Sequence, residues 1–119
     1  MINYDGRRFR PVEADAADRT AIYQQDGPVV WGEFTGGGVR HGSLAGTSAP
    51  GGELDFAYCM VLDSGEIVSG RCHSRPELRA DGGIDLRENW ERYGPNAGRG
   101  VSYLREITEP TDRVLVEEQ

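Results

Sequence analysis

Three runs of alternating apolar and polar residues, joined by two glycine-bearing turns, occupy Glu53 to Arg92 and constrain the chain more than any other stretch. In Leu54-Asp55-Phe56-Ala57-Tyr58-Cys59-Met60 the large apolar side chains fall on even positions, hence on one face of a period-2 strand. The turn Leu62-Asp63-Ser64-Gly65-Glu66 suits a type I turn followed by a left-handed glycine, which pairs Leu62 with Glu66. Met60 then faces Val68, Tyr58 faces Gly70, Phe56 faces Cys72 and Leu54 faces Ser74. A plain two-residue turn at Ser64-Gly65 slips the register and exchanges the faces, so the first pairing is preferred.

The second turn, Ala80-Asp81-Gly82, repeats this chemistry and pairs Arg79 with Gly83. Leu78 then meets Ile84, Pro76 meets Leu86, Ser74 meets Glu88 and Cys72 meets Trp90. Both turns therefore predict one inner face of Leu54, Phe56, Tyr58, Met60, Val68, Gly70, Cys72, Ser74, Leu86, Glu88 and Trp90. Asp55, Ser69, Arg71, His73, Asp85, Arg87, Asn89 and Glu91 alternate outward, as the solvated face of an antiparallel sheet does.

The flanking segments continue the pattern less sharply. Gly6 to Val12 reads as a short first strand ended by Pro11, and Glu13 to Asp18 as a loop or a single helical turn. Thr20 to Gln25 alternates as a second strand. Val29 to Thr35 and Val39 to Thr47 form a hairpin around Gly36-Gly37-Gly38. A turn at Gly36-Gly37 makes Val30, Phe34, Val39, His41 and Ala45 the inner set, whereas a bulge at Gly52 sends Gly42, Leu44 and Trp31 inward. In the last strand, Gly100 to Ile107, the pattern does not choose between a Ser102, Leu104, Glu106 face and a Val101, Tyr103, Ile107 face. The expectation is an all-β fold: an antiparallel up-and-down barrel of about eight strands filling residues 1–109, followed by a flexible acidic tail over 110–119. A barrel of that size has room inside for side chains or one small ligand.

Composition narrows the function. The 119 residues carry a formal charge of −7, and all thirteen basic residues are arginine. Lysine is absent, which removes Schiff-base and P-loop chemistry. The acidic balance argues against a nucleic-acid partner. No apolar run approaches the ~20 residues that span a bilayer and no leader precedes the first strand, so neither a membrane partner nor export is expected. Cys59 and Cys72 fall on opposite faces, as two unpaired thiols of a reducing cytoplasm would. Two histidines and two cysteines divided between the faces give no convergent ligand set, so no metal and no cofactor is expected.

The segments Tyr23-Gln24-Gln25-Asp26-Gly27, Trp31 with Gly36-Gly37, Gly42-Ser43-Leu44-Ala45-Gly46, Gly70-Arg71-Cys72-His73-Ser74-Arg75-Pro76-Glu77 and Leu86-Arg87-Glu88-Asn89-Trp90 resemble a family of small bacterial proteins often labelled N-acetylglutamate synthase. The architecture is similar to the calycin group of lipocalins and avidins, and to small barrel cyclases of natural-product pathways. Acetyl transfer of the usual kind needs a glycine loop opening a helix beneath a pyrophosphate, and the sequence has none. The resemblance therefore implies a fold and, for a calycin, a cavity.

Glu88 is the most informative candidate, because it lies between Leu86 and Trp90 on the expected inner face, where desolvation raises a carboxyl pKa unless a donor such as Ser74 answers it. Glu88 and Tyr58 are the candidates for proton transfer. Tyr23, Phe34, His41, Phe56, Met60, Cys72, Ser74, Leu86 and Trp90 are the candidates for ligand contact, with apolar walls supplying affinity and polar groups orientation. His73 alternates outward, so it cannot serve Cys72 as a base, and Cys72 is expected to pack as a small hydrophobe. The functional expectation is a barrel binding a partly apolar small molecule, with a cyclase or isomerase using Glu88 or Tyr58 as the alternative. A third reading is a homo-oligomer-forming module with Val29 and Trp31 as its contact strip.

Overall fold

In the computed structural model, which describes residues 2–13, 16 and 18–108, three hairpin turns share one geometry. Gly52, Gly65 and Gly82 have φ of 92°, 92° and 87°. Each sits one residue before a backbone bond that closes its loop: Ala49 N to Glu53 O, Leu62 N to Glu66 O and Arg79 N to Gly83 O, all 2.8 Å. A type I turn followed by a left-handed residue sets these registers, and only glycine takes that position without strain.

Eight strands follow from this punctuation: β1 Arg8–Pro11, β2 Thr20–Asp26, β3 Val29–Gly36, β4 Val39–Ser48, β5 Leu54–Leu62, β6 Ile67–Leu78, β7 Ile84–Arg92 and β8 Gly98–Glu106. Each pairs antiparallel with its sequence neighbour, and β1 pairs with β8 to close the barrel. The central meander has the expected register throughout, with Met60 opposite Val68, Phe56 opposite Cys72, Ser74 opposite Glu88 and Cys72 opposite Trp90. Cys59 is exposed and Cys72 buried, both as free thiols.

The β3–β4 hairpin corrects one expectation. Its turn is Gly37-Gly38, flanked by the Gly36–Val39 pair, and both turn glycines have positive φ. An extra residue in β4 then breaks the register between Val39 and Gly42, against β3 and β5 alike. This bulge leaves both Arg40 and His41 exposed and turns Gly42 and Leu44 inward. His41 and Ala45, expected inside, thus lie on the outer face. Trp31 stays outside, because Val30 and Phe34 hold the inward parity of β3. In β8 the inward set is Ser102, Leu104 and Glu106, with Val101 and Tyr103 exposed.

One end of the barrel is plugged by residues 2–7. Tyr4 is fully buried, its ring 6.4 Å from Phe9 and 6.1 Å from Tyr23, and its hydroxyl donates to the Gly52 carbonyl at 2.6 Å. Arg7 pairs with the buried Glu106 carboxylate at 2.8 Å, which also accepts from the Ile84 amide. Residues 14, 15 and 17 of the expected loop or helical turn, and the whole expected tail 110–119, lie outside the described residues. Among the described residues no helix is long and apolar enough to cross a membrane.

Candidate functional site

The barrel interior is a packed plug at one end and a cavity at the other. Towards the plug, Tyr4, Leu54, Ile84 and Leu86 have essentially no exposed surface. Towards the opposite end, the cavity is bordered by Glu13 and Arg19 of the β1–β2 connection and by Arg92 at the end of β7, which remain exposed or partly exposed. The space between measures about 200 Å³.

Its walls are aromatic because the strands opposite them carry glycine. Tyr23 pairs with Gly32, Phe34 with Gly42, Phe56 with Gly46, Tyr58 with Gly70 and Trp90 with Gly100. A Cβ on Gly42 would strike the Phe34 ring, one on Gly70 the Tyr58 hydroxyl and the Glu91 carbonyl, and one on Gly100 the Trp90 indole. These rings lie across the neighbouring strand over a residue with no side chain, which keeps the centre of the barrel open. The pairing of strand glycines with cross-strand aromatics is a known device for sheets that curve tightly.

The polar groups converge on Glu88. Ser74, fully buried, donates to its Oε2 at 3.4 Å, and the Cys72 thiol lies 3.6 Å from the Ser74 hydroxyl. Loss of water raises the Glu88 pKa from 4.5 to about 7; hydrogen bonds from Cys72 and Ser74 oppose this, Glu13 adds to it and Arg19 subtracts. Burial, reinforced by the Glu88 charge, drives the Cys72 thiol far above its ordinary range, so it is a neutral packing group and no nucleophile. Tyr23 is raised in the same way, by burial first and Glu88 second, and stays a phenol. It is 1% exposed and lines the cavity, yet its hydroxyl has no hydrogen-bond partner among the described residues.

Nearer the mouth, Trp90 Nε1 donates to Ser102 Oγ at 2.9 Å, and the Arg92 guanidinium lies 5.4 Å from the Trp90 ring centre. Burial raises the Tyr58 hydroxyl, Arg92 partly offsets this, and the hydroxyl donates to the Glu91 carbonyl at 3.2 Å. Arg19 is held by its bonds to the carbonyls of Gly36 and Gly37, at 3.1 and 2.7 Å. A carboxyl able to exchange a proton near neutrality thus sits inside an aromatic enclosure, with a free phenol beside it.

Of the residues expected at the site, Tyr23, Phe34, Phe56, Tyr58, Met60, Cys72, Glu88 and Trp90 line the cavity. Ser74 and Leu86 lie buried behind the wall, Ser74 acting on Glu88 from there, and His41 is outside. Phe9, Arg19, Leu44, Arg92 and Ser102 also line the cavity, and the strand pattern does not single them out. Leu44 and Ser102 were hidden by undecided strand faces, and the arginines by reaching the mouth from strand ends. The mid-strand glycines at 42, 70 and 100 are the signal in the sequence, since each marks where a ring of the neighbouring strand crosses the ladder.

Comparison with known proteins agrees with this geometry. No curated protein and no solved structure gives a match. The profile of one family, described as avidin-like protein, matches residues 2–107, which spans every strand of the barrel. A closed antiparallel barrel of eight sequentially paired strands is the architecture expected of such a protein, so the chain belongs to the avidin-like protein family.

Proposed function

We propose that the barrel binds a small, partly apolar molecule in its interior, with the aromatic walls supplying affinity and Glu88 and Tyr23 fixing orientation. Membership of a family of small-ligand-binding barrels supports the class of function. The observation that carries the specific reading is the cavity itself, held open by the ring-over-glycine pairs above a carboxyl group. Each ring buried against a ligand is worth ~1.5–3 kcal/mol. The volume is somewhat larger than the ~150 Å³ that accommodates benzene and below the range of drug-sized pockets, which suits one ring with a short polar arm.

Native mass spectrometry of the protein taken from its own host, followed by denaturation and identification of what is released, tests the reading. A stoichiometric small molecule is expected, and Ala21→Trp, which fills the cavity from β2, abolishes its retention. Retention undiminished in Ala21→Trp refutes an interior site.

The position of Glu88 favours one alternative, an isomerase or cyclase in which this carboxyl moves a proton and Tyr58 or Tyr23 polarises a carbonyl. The two readings separate on Glu88→Gln, which abolishes turnover in an enzyme while leaving the fold intact. Val29 and Trp31, 49% and 39% exposed on the outer face of β3, form a strip suited to self-association, which concentration-dependent mass would report. Two free thiols suit a reducing, cytoplasmic setting.

A further inference from the structure

We infer that the ligand of this cavity is a small organic amine, a ring-bearing ammonium whose positive charge meets the Glu88 carboxylate while its apolar part lies among the aromatic walls. This rests on the interior binding site proposed above and narrows its chemistry.

Three observations carry it. First, among the described residues Glu88 forms no salt bridge, whereas the barrel's other inward-facing acid, Glu106, is paired with Arg7. A carboxylate drawn out of water is tolerated when a cation or a full set of donors meets it, and the long bond from Ser74 and the weak donor Cys72 leave Glu88 lone pairs open. Second, the surrounding wall is formed by the rings of Phe9, Tyr23, Phe34, Phe56, Tyr58 and Trp90. An aromatic enclosure with a carboxylate inside it is complementary to an organic cation through ring quadrupoles and ion pairing together. Third, the Tyr23 hydroxyl, without a hydrogen-bond partner among the described residues, supplies a further polar contact to the ligand head group. A neutral ligand would leave the Glu88 charge unanswered, and an anion would meet it head-on.

Among the described residues, the titratable and charged groups facing Glu88 from the packed elements are few. They are Cys72 on β6, Tyr23 on β2, Tyr58 on β5, Glu13 and Arg19 from the β1–β2 connection, and Arg92 further along β7, with the uncharged Ser74 and Ser102 beside them. Cys72 and both tyrosines are held protonated by burial. Arg19 and Arg92 lie at the solvated mouth, where their repulsion of an incoming cation is screened, whereas the attraction of Glu88 acts in a drier interior. Ammonium binding needs Glu88 ionised. With a group titrating at about 7, raising the pH from 5.5 to 8 increases the ionised share about 30-fold, and amine affinity follows it.

The test compares three probes of one shape on the full chain by calorimetry: 2-phenylethylamine, 2-phenylethanol and phenylacetate. The amine is expected to bind at least 10-fold more tightly than the alcohol at pH 8, to weaken about 30-fold by pH 5.5, and to lose its advantage in Glu88→Gln. The wild-type pH profile stands even if that variant folds poorly. Equal binding of amine and alcohol, or an amine preference kept in Glu88→Gln, overturns the amine inference while leaving the interior site intact. Preference for phenylacetate overturns it in favour of the mouth arginines. Failure of all three to bind at millimolar concentration overturns both this inference and the interior site.

Discussion

Replacing Glu88 by glutamine should make the protein more stable at alkaline pH and leave it nearly unchanged in acid. Burial lifts the carboxyl from 4.5 to about 7, so between those values the native chain holds a proton that the unfolded chain releases. Stability therefore falls as pH rises through that window, and the loss is complete above 7. At ~1.4 kcal/mol per unit, the full penalty is about 3 kcal/mol, an upper figure because the ionised group keeps its bond from Ser74. Glutamine has nearly the same shape and can still accept from Ser74, but carries no charge to desolvate. Urea denaturation of both proteins at pH 5 and pH 8.5 should show the advantage of the variant growing by about 2.5 kcal/mol, on the order of 10 °C in melting temperature at the higher pH. An advantage of equal size at both pH values, or a variant less stable at pH 8.5, would refute the assignment of Glu88 as a desolvated acid. The same penalty is what an ammonium ligand would relieve, so bound amine should flatten the wild-type profile.

Other expectations follow from the packing. Gly70→Ala sets a methyl against the Glu91 carbonyl and 2.6 Å from the Tyr58 hydroxyl, and should cost about 1–3 kcal/mol, whereas Gly51→Ala meets open space and should change stability by less than ~0.5 kcal/mol; equal effects in chemical denaturation would argue against the ring-over-glycine account. Arg7→Ala strands the buried Glu106 carboxylate with only the Ile84 amide and should cost about 2–4 kcal/mol, much of it recovered by adding Glu106→Gln, which a double-mutant cycle measures. An aromatic disulfide reagent should titrate one thiol per native chain, Cys59, and both only after unfolding; rapid reaction of Cys72 would contradict its burial.

The alternation of Leu54 to Met60 and the two Asp/Ser-Gly turns determined the central meander residue by residue, because a strand repeats every two residues and a left-handed glycine admits one loop closure. That register alone placed Glu88 opposite Ser74 and inside the barrel, together with Phe56, Tyr58, Met60, Cys72 and Trp90. Local pattern has this power where one face is buried and the turn chemistry is unambiguous. It fails where glycine dilutes the pattern. In β4 the inward positions 42 and 46 carry no side chain, so their parity was invisible, and a bulge at Arg40-His41 reversed the expected faces. Whether Ser102 or Val101 faced inward depended on closure of β8 against β1, a pairing between chain ends that no local window contains. The plug centred on Tyr4, the mouth arginines and the cavity volume are likewise properties of the closed barrel. They depend on which side chains from distant strands reach the same space, and that is decided only when all eight strands have met.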